Sequence, residues 1–190
     1  MKRKILFLSL VLVLVLTALM PAAALAKTDS RHKPSPSPVL RDFSGAGLIY
    51  VTYMPAPEIK GKMWRYSGEI AEGFLQQSDW DLLAGTAFWS DHDSFVLVQN
   101  DGSAKGLMKG EFKLIRPDGS GVLEGVFEGK ITGNLFTGFI SDAGMWFSTG
   151  GSGVFENVKA WGKWSADLSY DPGLGTLIGP LNWEGKYQQK

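Results

Sequence analysis

Cysteine is absent from all 190 residues, and histidine occurs only twice, at His32 and His92. The first absence excludes a disulfide framework, thiol chemistry and a lipid-anchored lipoprotein, so stability has to come from an ordinary core. Both together exclude a zinc site of the usual kind, because four nitrogen or sulfur ligands cannot be assembled. An excess of one charge sign is also missing, with 19 basic residues against 19 acidic ones. Lysine and glutamate alternate along the same segments, and no basic run follows the first four residues. Nucleic acid is therefore not an expected partner, since tracking phosphates needs a basic face. No Gly-x-Ser-x-Gly elbow and no Gly-x-Gly-x-x-Gly loop occurs, which argues against a hydrolase triad and a dinucleotide; no cofactor is expected. Long helices are missing too: no internal stretch holds an apolar helical period over three turns, and Ser78–Ala84 is the best candidate for a single short helix.

The one long apolar run lies at the start. Lys2-Arg3-Lys4, the apolar stretch Ile5–Met20, Pro21 and the small-x-small triplet Ala24-Leu25-Ala26 read as a secretory signal peptide cleaved before Lys27. An uncleaved anchor is the alternative, and the only membrane association expected, but the run is short of the roughly 20 residues a span needs. Removing the three leader cations from a balanced chain leaves a formal charge of −3. Residues 27–42 alternate proline with serine and have little to bury, so they are expected to be an extended tether. A single domain is expected over 43–190, outside the cytoplasm; its oligomeric state is left open.

Within that domain glycine recurs among alternating residues. In 105–114, Gly106, Met108, Gly110, Phe112 and Leu114 share one face while Lys105, Lys109, Glu111 and Lys113 share the other, which is the pattern of a half-buried strand. Strands are predicted at 46–53, 64–75, 82–89, 94–99, 105–116, 121–131, 135–141, 145–148, 153–168 and 181–187. Asn100-Asp101-Gly102 and Pro117-Asp118-Gly119 supply hairpin turns, because Asp and Gly tolerate positive φ. From Leu123 to Ile131 the order Leu123, Gly125, Phe127, Gly129, Ile131 alternates large and small residues on one face, as a tightly coiled small barrel requires. The expected fold is all-β, a closed antiparallel barrel of about eight main strands.

The segment Gly150-Gly-Ser-Gly-Val-Phe-Glu-Asn-Val-Lys-Ala-Trp-Gly162, preceded by Gly129-Lys-Ile-Thr-Gly-Asn-Leu-Phe-Thr-Gly138, resembles the late strands of the allene oxide cyclase and dirigent superfamily. The resemblance spans about residues 64–168. It implies an eight-stranded antiparallel barrel with an apolar cavity open at one end. The cyclases close an unstable fatty-acid epoxide and the dirigent proteins orient phenoxy radicals; the active-site cysteine of the cyclase pattern has no counterpart here.

Candidate chemistry is sparse. His92 stands in Asp91-His-Asp93, and with carboxylates on both sides it is expected to be a charged group in a solvated turn between two strands. Glu124 and Glu128 share a face opposite Leu123 and Phe127 and should be solvent-facing. Asp79 and Asp81 flank Trp80 in a segment expected at a barrel mouth, where binding groups accumulate. Of the seven tryptophans, Trp164 shares a face with Val154, Val158 and Ala160 and is expected to line the interior, whereas Trp161 lies between Lys159 and Lys163 and is expected near the surface. The candidate ligand-binding residues are Trp164, Phe127, Phe112, Asp79 and Asp81. Three functions fit: a binding module for a small apolar or aromatic molecule, a cofactor-independent isomerase or cyclase acting inside the barrel, and a cell-surface interaction module. The lining of the barrel interior separates them, since a perturbed carboxylate there favours catalysis and a filled interior favours interaction.

Overall fold

The computed structural model describes residues 39–189. The expected leader at 1–26, and the expected tether as far as residue 38, lie outside the described residues.

Nine strands follow one another: β1 (Arg41–Tyr53), β2 (Glu58–Lys60), β3 (Met63–Ser78), β4 (Ala87–Val98), β5 (Ser103–Ile115), β6 (Gly121–Asn134), β7 (Phe139–Gly153), β8 (Lys159–Asp171) and β9 (Thr176–Gln188). Each pairs antiparallel with its neighbour in the order β1-β9-β8-β7-β6-β5-β4-β3-β2, and β1 also pairs with β3. Eight strands thus close into a barrel, with the three-residue β2 added outside the ring on β3. Closure removes the exposed edges that an open sheet of this length would present.

The hairpin chemistry works as its residues dictate. Gly102 and Gly119 take φ of 82° and 72°, and the Asp101 and Asp118 carboxylates accept from the backbone N–H of Ser103 and Ser120, each at 3.0 Å. Other expectations are corrected. Segments 82–89 and 94–99 are not separate strands: β4 runs unbroken from Ala87 to Val98, straight through His92. Segments 135–141 and 145–148 likewise resolve into a turn at 135–138 and the single strand β7. The stretch expected at 153–168 starts late, at Lys159, because 154–158 fold into turns closed by Phe155 N–H to Ser152 O (3.2 Å) and Val158 N–H to Phe155 O (3.1 Å). No helix forms among the described residues; 79–85 is a chain of turns.

The two barrel ends differ. At one, Trp80 and Leu83 from the β3–β4 connection and Phe155 from the β7–β8 connection fold inward beside Phe43, and all four are buried. Trp80 stacks on Tyr187 with ring centroids 3.9 Å apart and meets Phe155 edge-on at 6.1 Å. Below them Phe112, Trp146 and Trp183 form an aromatic layer, with centroid separations of 5.1 Å for Phe112–Trp183 and 4.9 Å for Trp146–Trp183. This end is sealed. At the other end the β6–β7 and β8–β9 hairpins surround a mouth where Met54, Phe136, Tyr170 and Leu174 are exposed.

One irregularity decides what the interior contains. Tyr66 faces Ser94 and Glu69 faces His92 across β3 and β4, so β3 spends three residues where β4 spends two. Such a bulge turns the strand about its axis. Gly68 absorbs it with φ of 74°, and its N–H donates to the Asp93 carboxylate at 3.0 Å. Before the bulge the side chains directed inward are Trp64 and Tyr66; after it they are Glu69, Ala71 and Leu75.

Candidate functional site

An eight-stranded barrel has an interior just wide enough to be filled by side chains or to hold one small ligand. Here the sealed half is filled. The open half keeps a cavity of about 100 Å³, lined by apolar side chains together with Tyr66, Glu69, Ser90, His92, Ser94 and Asp142. Val51, Met54, Tyr66, Leu135, Ile140 and Leu177 line both this cavity and an open basin of about 1190 Å³ at the mouth, so the two adjoin.

The polar groups arrive by strand alternation. Ser90, His92 and Ser94 share the inward face of β4 with Phe88 and Val96. Asp142 occupies the inward face of β7 between Ile140 and Trp146, paired across to Ile131 of β6 and Ala166 of β8. Glu69 comes from β3 through the bulge. Ser94 Oγ donates to Glu69 Oε2 at 2.5 Å, and His92 Nε2 lies 3.7 Å from the same oxygen.

Burial governs the charge states. It pushes the Glu69 carboxyl above the usual range, against the hydrogen bond from Ser94, which pulls the other way. Asp142 is pushed up to about 7, first by burial and then by the charges of Glu69 and Asp167. His92 is pushed down to about 4 by burial, which outweighs Asp91 and Asp93. This corrects the expectation of a charged histidine in a solvated turn: the two aspartates sit on the outward side of β4, and His92, 8% exposed, sits on the inward side. At neutral pH the imidazole is neutral, so its approach to Glu69 is not an ion pair.

Several buried polar atoms have no hydrogen-bond partner among the described residues, including His92 Nδ1, Asp142 Oδ1, Trp164 Nε1 and Trp183 Nε1. All four residues line the cavity, with no more than 8% of their surface exposed. A buried polar atom left unpaired destabilises a fold by about 1–3 kcal/mol, so four on one cavity wall make a polar receptor in an apolar lumen.

No family model and no curated protein matches this chain.

The candidate ligand-binding residues from the sequence fall at two places. Trp164 and Phe127 line the cavity, their rings edge to face with centroids 5.5 Å apart. Phe112 is directed inward but belongs to the aromatic layer of the sealed half, packed on Trp146 and Trp183. Asp79 and Asp81 lie at the sealed end, away from the cavity. The Asp79 carboxylate accepts from Ser44 N–H at 2.6 Å and Ser44 Oγ at 3.1 Å, tying the plug to β1. Asp81 is exposed, and its backbone carbonyl accepts from Arg116. Trp161 is half-buried on the outer face of β8. Glu69, Asp142 and the inward serines were not singled out in the sequence. Among the described residues no group of three or more His, Asp or Glu is arranged to hold a metal ion.

Proposed function

We propose that this chain is an exported β-barrel that binds one small, largely apolar or aromatic molecule, its polar end in the lumen and its body in the basin. The observation that carries this reading is the set of unpaired, buried polar atoms of His92, Asp142 and Trp164 on the wall of a cavity open at one end. Ligand pockets commonly enclose roughly 300–1,000 Å³, so a cavity of about 100 Å³ takes a head group while the basin takes the remainder. Exposed Met54, Phe136 and Leu174 give the mouth an apolar rim suited to such a guest. The resemblance to the allene oxide cyclase and dirigent superfamily is in keeping with an open-ended barrel. Export rests on the leader-like residues 1–26, and intact-mass analysis of exported material that still contained them would overturn their cleavage and make the barrel membrane-anchored.

The binding test is a titration with apolar and phenolic probes read by tryptophan emission. Trp164→Ala is expected to weaken binding about fivefold, the equivalent of roughly 1 kcal/mol of aromatic contact, and Trp161→Ala to leave it unchanged. Absence of saturable binding to the folded protein rejects the reading.

One observation favours a second reading, acid–base catalysis in the lumen without a cofactor. A carboxyl held at about 7 is poised to give and take protons near neutrality, and the neutral His92 lines the same cavity. Here Asp142 would exchange the proton with the bound molecule while the barrel excludes water. Turnover of a bound probe that disappears in Asp142→Asn, with binding retained, is the result that would put catalysis first.

A further inference from the structure

The lumen is one-signed. Of the described side chains lining the cavity, Glu69 and Asp142 are the two that can carry formal charge at neutral pH; His92 is neutral there, and among the described residues no lysine or arginine lines the wall. Asp142 is faced from β3 by Glu69 and Tyr66 and from β4 by His92, while Asp167 of β8 adds a further negative charge from the outer face. Lys130 and Lys163, on the neighbouring strands, are exposed on the outside. A ligand carboxylate or phosphate would therefore enter a low-dielectric site already holding two acids, with no cation to receive it.

The orphan acceptor points the same way. Asp142 Oδ1 is buried, lines the cavity and receives no hydrogen bond from the described residues, whereas Glu69 already receives one from Ser94. What it lacks is a donor, and a positively charged donor satisfies both the lone pair and the charge. The surrounding rings of Phe127, Trp164 and Trp183 add faces whose quadrupoles attract cations.

We infer that the molecule bound in this barrel carries a protonated amine on an apolar body, with the ammonium group held by Asp142 beside Glu69. This rests on the ligand-binding reading above and names the chemical class of the guest. The indole N–H groups of Trp164 and Trp183 remain free for an oxygen on the ligand body.

The test uses the barrel protein with n-decylamine, n-decanol and n-decanoate below their micelle-forming concentrations, with binding followed by calorimetry and tryptophan emission at pH 8. Alkylamines stay protonated there, as a lysine side chain with a value of about 10.4 does. Decylamine is expected to bind at least about tenfold more tightly than decanol, and decanoate more weakly than both. Asp142→Asn should bring the amine and alcohol affinities together by weakening the amine. Lowering the pH from 8 to 5 should weaken the amine and not the alcohol, because the proton that returns to Asp142 competes with the ammonium. Decanol binding as tightly as decylamine, or an amine preference that survives in Asp142→Asn, overturns the inference and leaves the binding reading standing. Failure of all three probes to bind rejects both.

Discussion

Gly125 offers the sharpest test of which way β6 faces. A β-carbon built on it would come closer than 3.0 Å both to the Phe112 ring and to the Phe147 carbonyl oxygen. Carbon atoms pack best at about 3.5–4.0 Å, so Gly125→Ala demands a displacement of at least about 0.5 Å from one or both neighbours. Neither yields easily. Phe112 is 1% exposed and wedged edge-on between Trp146 and Trp183, and the Phe147 carbonyl belongs to the backbone of β7. Overpacking of this kind destabilises by about 1–3 kcal/mol, and the rigid surroundings place Gly125→Ala near the upper figure. Against this stands a gain of about 0.5–1 kcal/mol from replacing glycine inside a strand, which leaves a net loss of about 2 kcal/mol. For a domain of this size that is a Tm lower by roughly 4–8 °C. The control is the adjacent Glu124→Ala, which removes only a half-exposed 3.2 Å contact with Lys113 and should stay within about 1 kcal/mol of wild type. Urea denaturation followed by tryptophan emission measures both. Adding Phe112→Leu to Gly125→Ala should destabilise less than the sum of the two changes, because the ring half of the overlap is gone. Equal midpoints for Gly125→Ala and Glu124→Ala would refute the assigned faces.

The buried acid and base set opposite pH slopes. Asp142 has a folded value of about 7 against an ordinary 3.8, so its stabilisation is complete below about pH 4 and is lost as pH rises through 7. Asp142→Asn should therefore gain stability over wild type across that window and plateau above it; a difference in urea midpoint that stays constant between pH 4 and 7 rejects the burial argument. His92 runs the other way, with stabilisation present above about 6.5 and lost as pH falls through 4, so His92→Gln should be stabilised relative to wild type at the acid end. Asp79→Ala removes both hydrogen bonds to Ser44 and should lower stability by about 1 kcal/mol while leaving probe affinity unaltered, which separates the plug from the binding site.

Alternation made most of the barrel legible. The inward faces of β5 and β6 follow directly from glycine and large apolar residues at period two, and the Asp-Gly pairs mark their turns. The site was harder to read because its polar residues break the apolar signal that defines a strand. Asp91-His92-Asp93 reads as a turn by composition. Yet Phe88, Ser90, His92, Ser94 and Val96 keep an unbroken period of two, and that phase alone directs His92 inward. Asp142 keeps step with Ile140 and Trp146 in the same way. Glu69 had no such signal: extending the phase of Trp64 and Tyr66 puts Ile70 inside and Glu69 outside, and only the pairing with β4 reveals the slip. Asp79 misled because a polar loop at a barrel end looks the same in sequence whether that end is open or plugged by Trp80 and Leu83.

The slip at Gly68 means that the character of the lumen is written in residue spacing as well as in residue type. Were β3 to run at its present length without the bulge, the phase of Tyr66 would carry Ile70 and Glu72 inward and turn Glu69 and Ala71 toward solvent, whereas deleting one residue at Ser67-Gly68 would take out the extra residue and leave Glu69 opposite His92. Loss or gain of a bulge at constant strand length is thus a route by which this scaffold can exchange one set of guests for another.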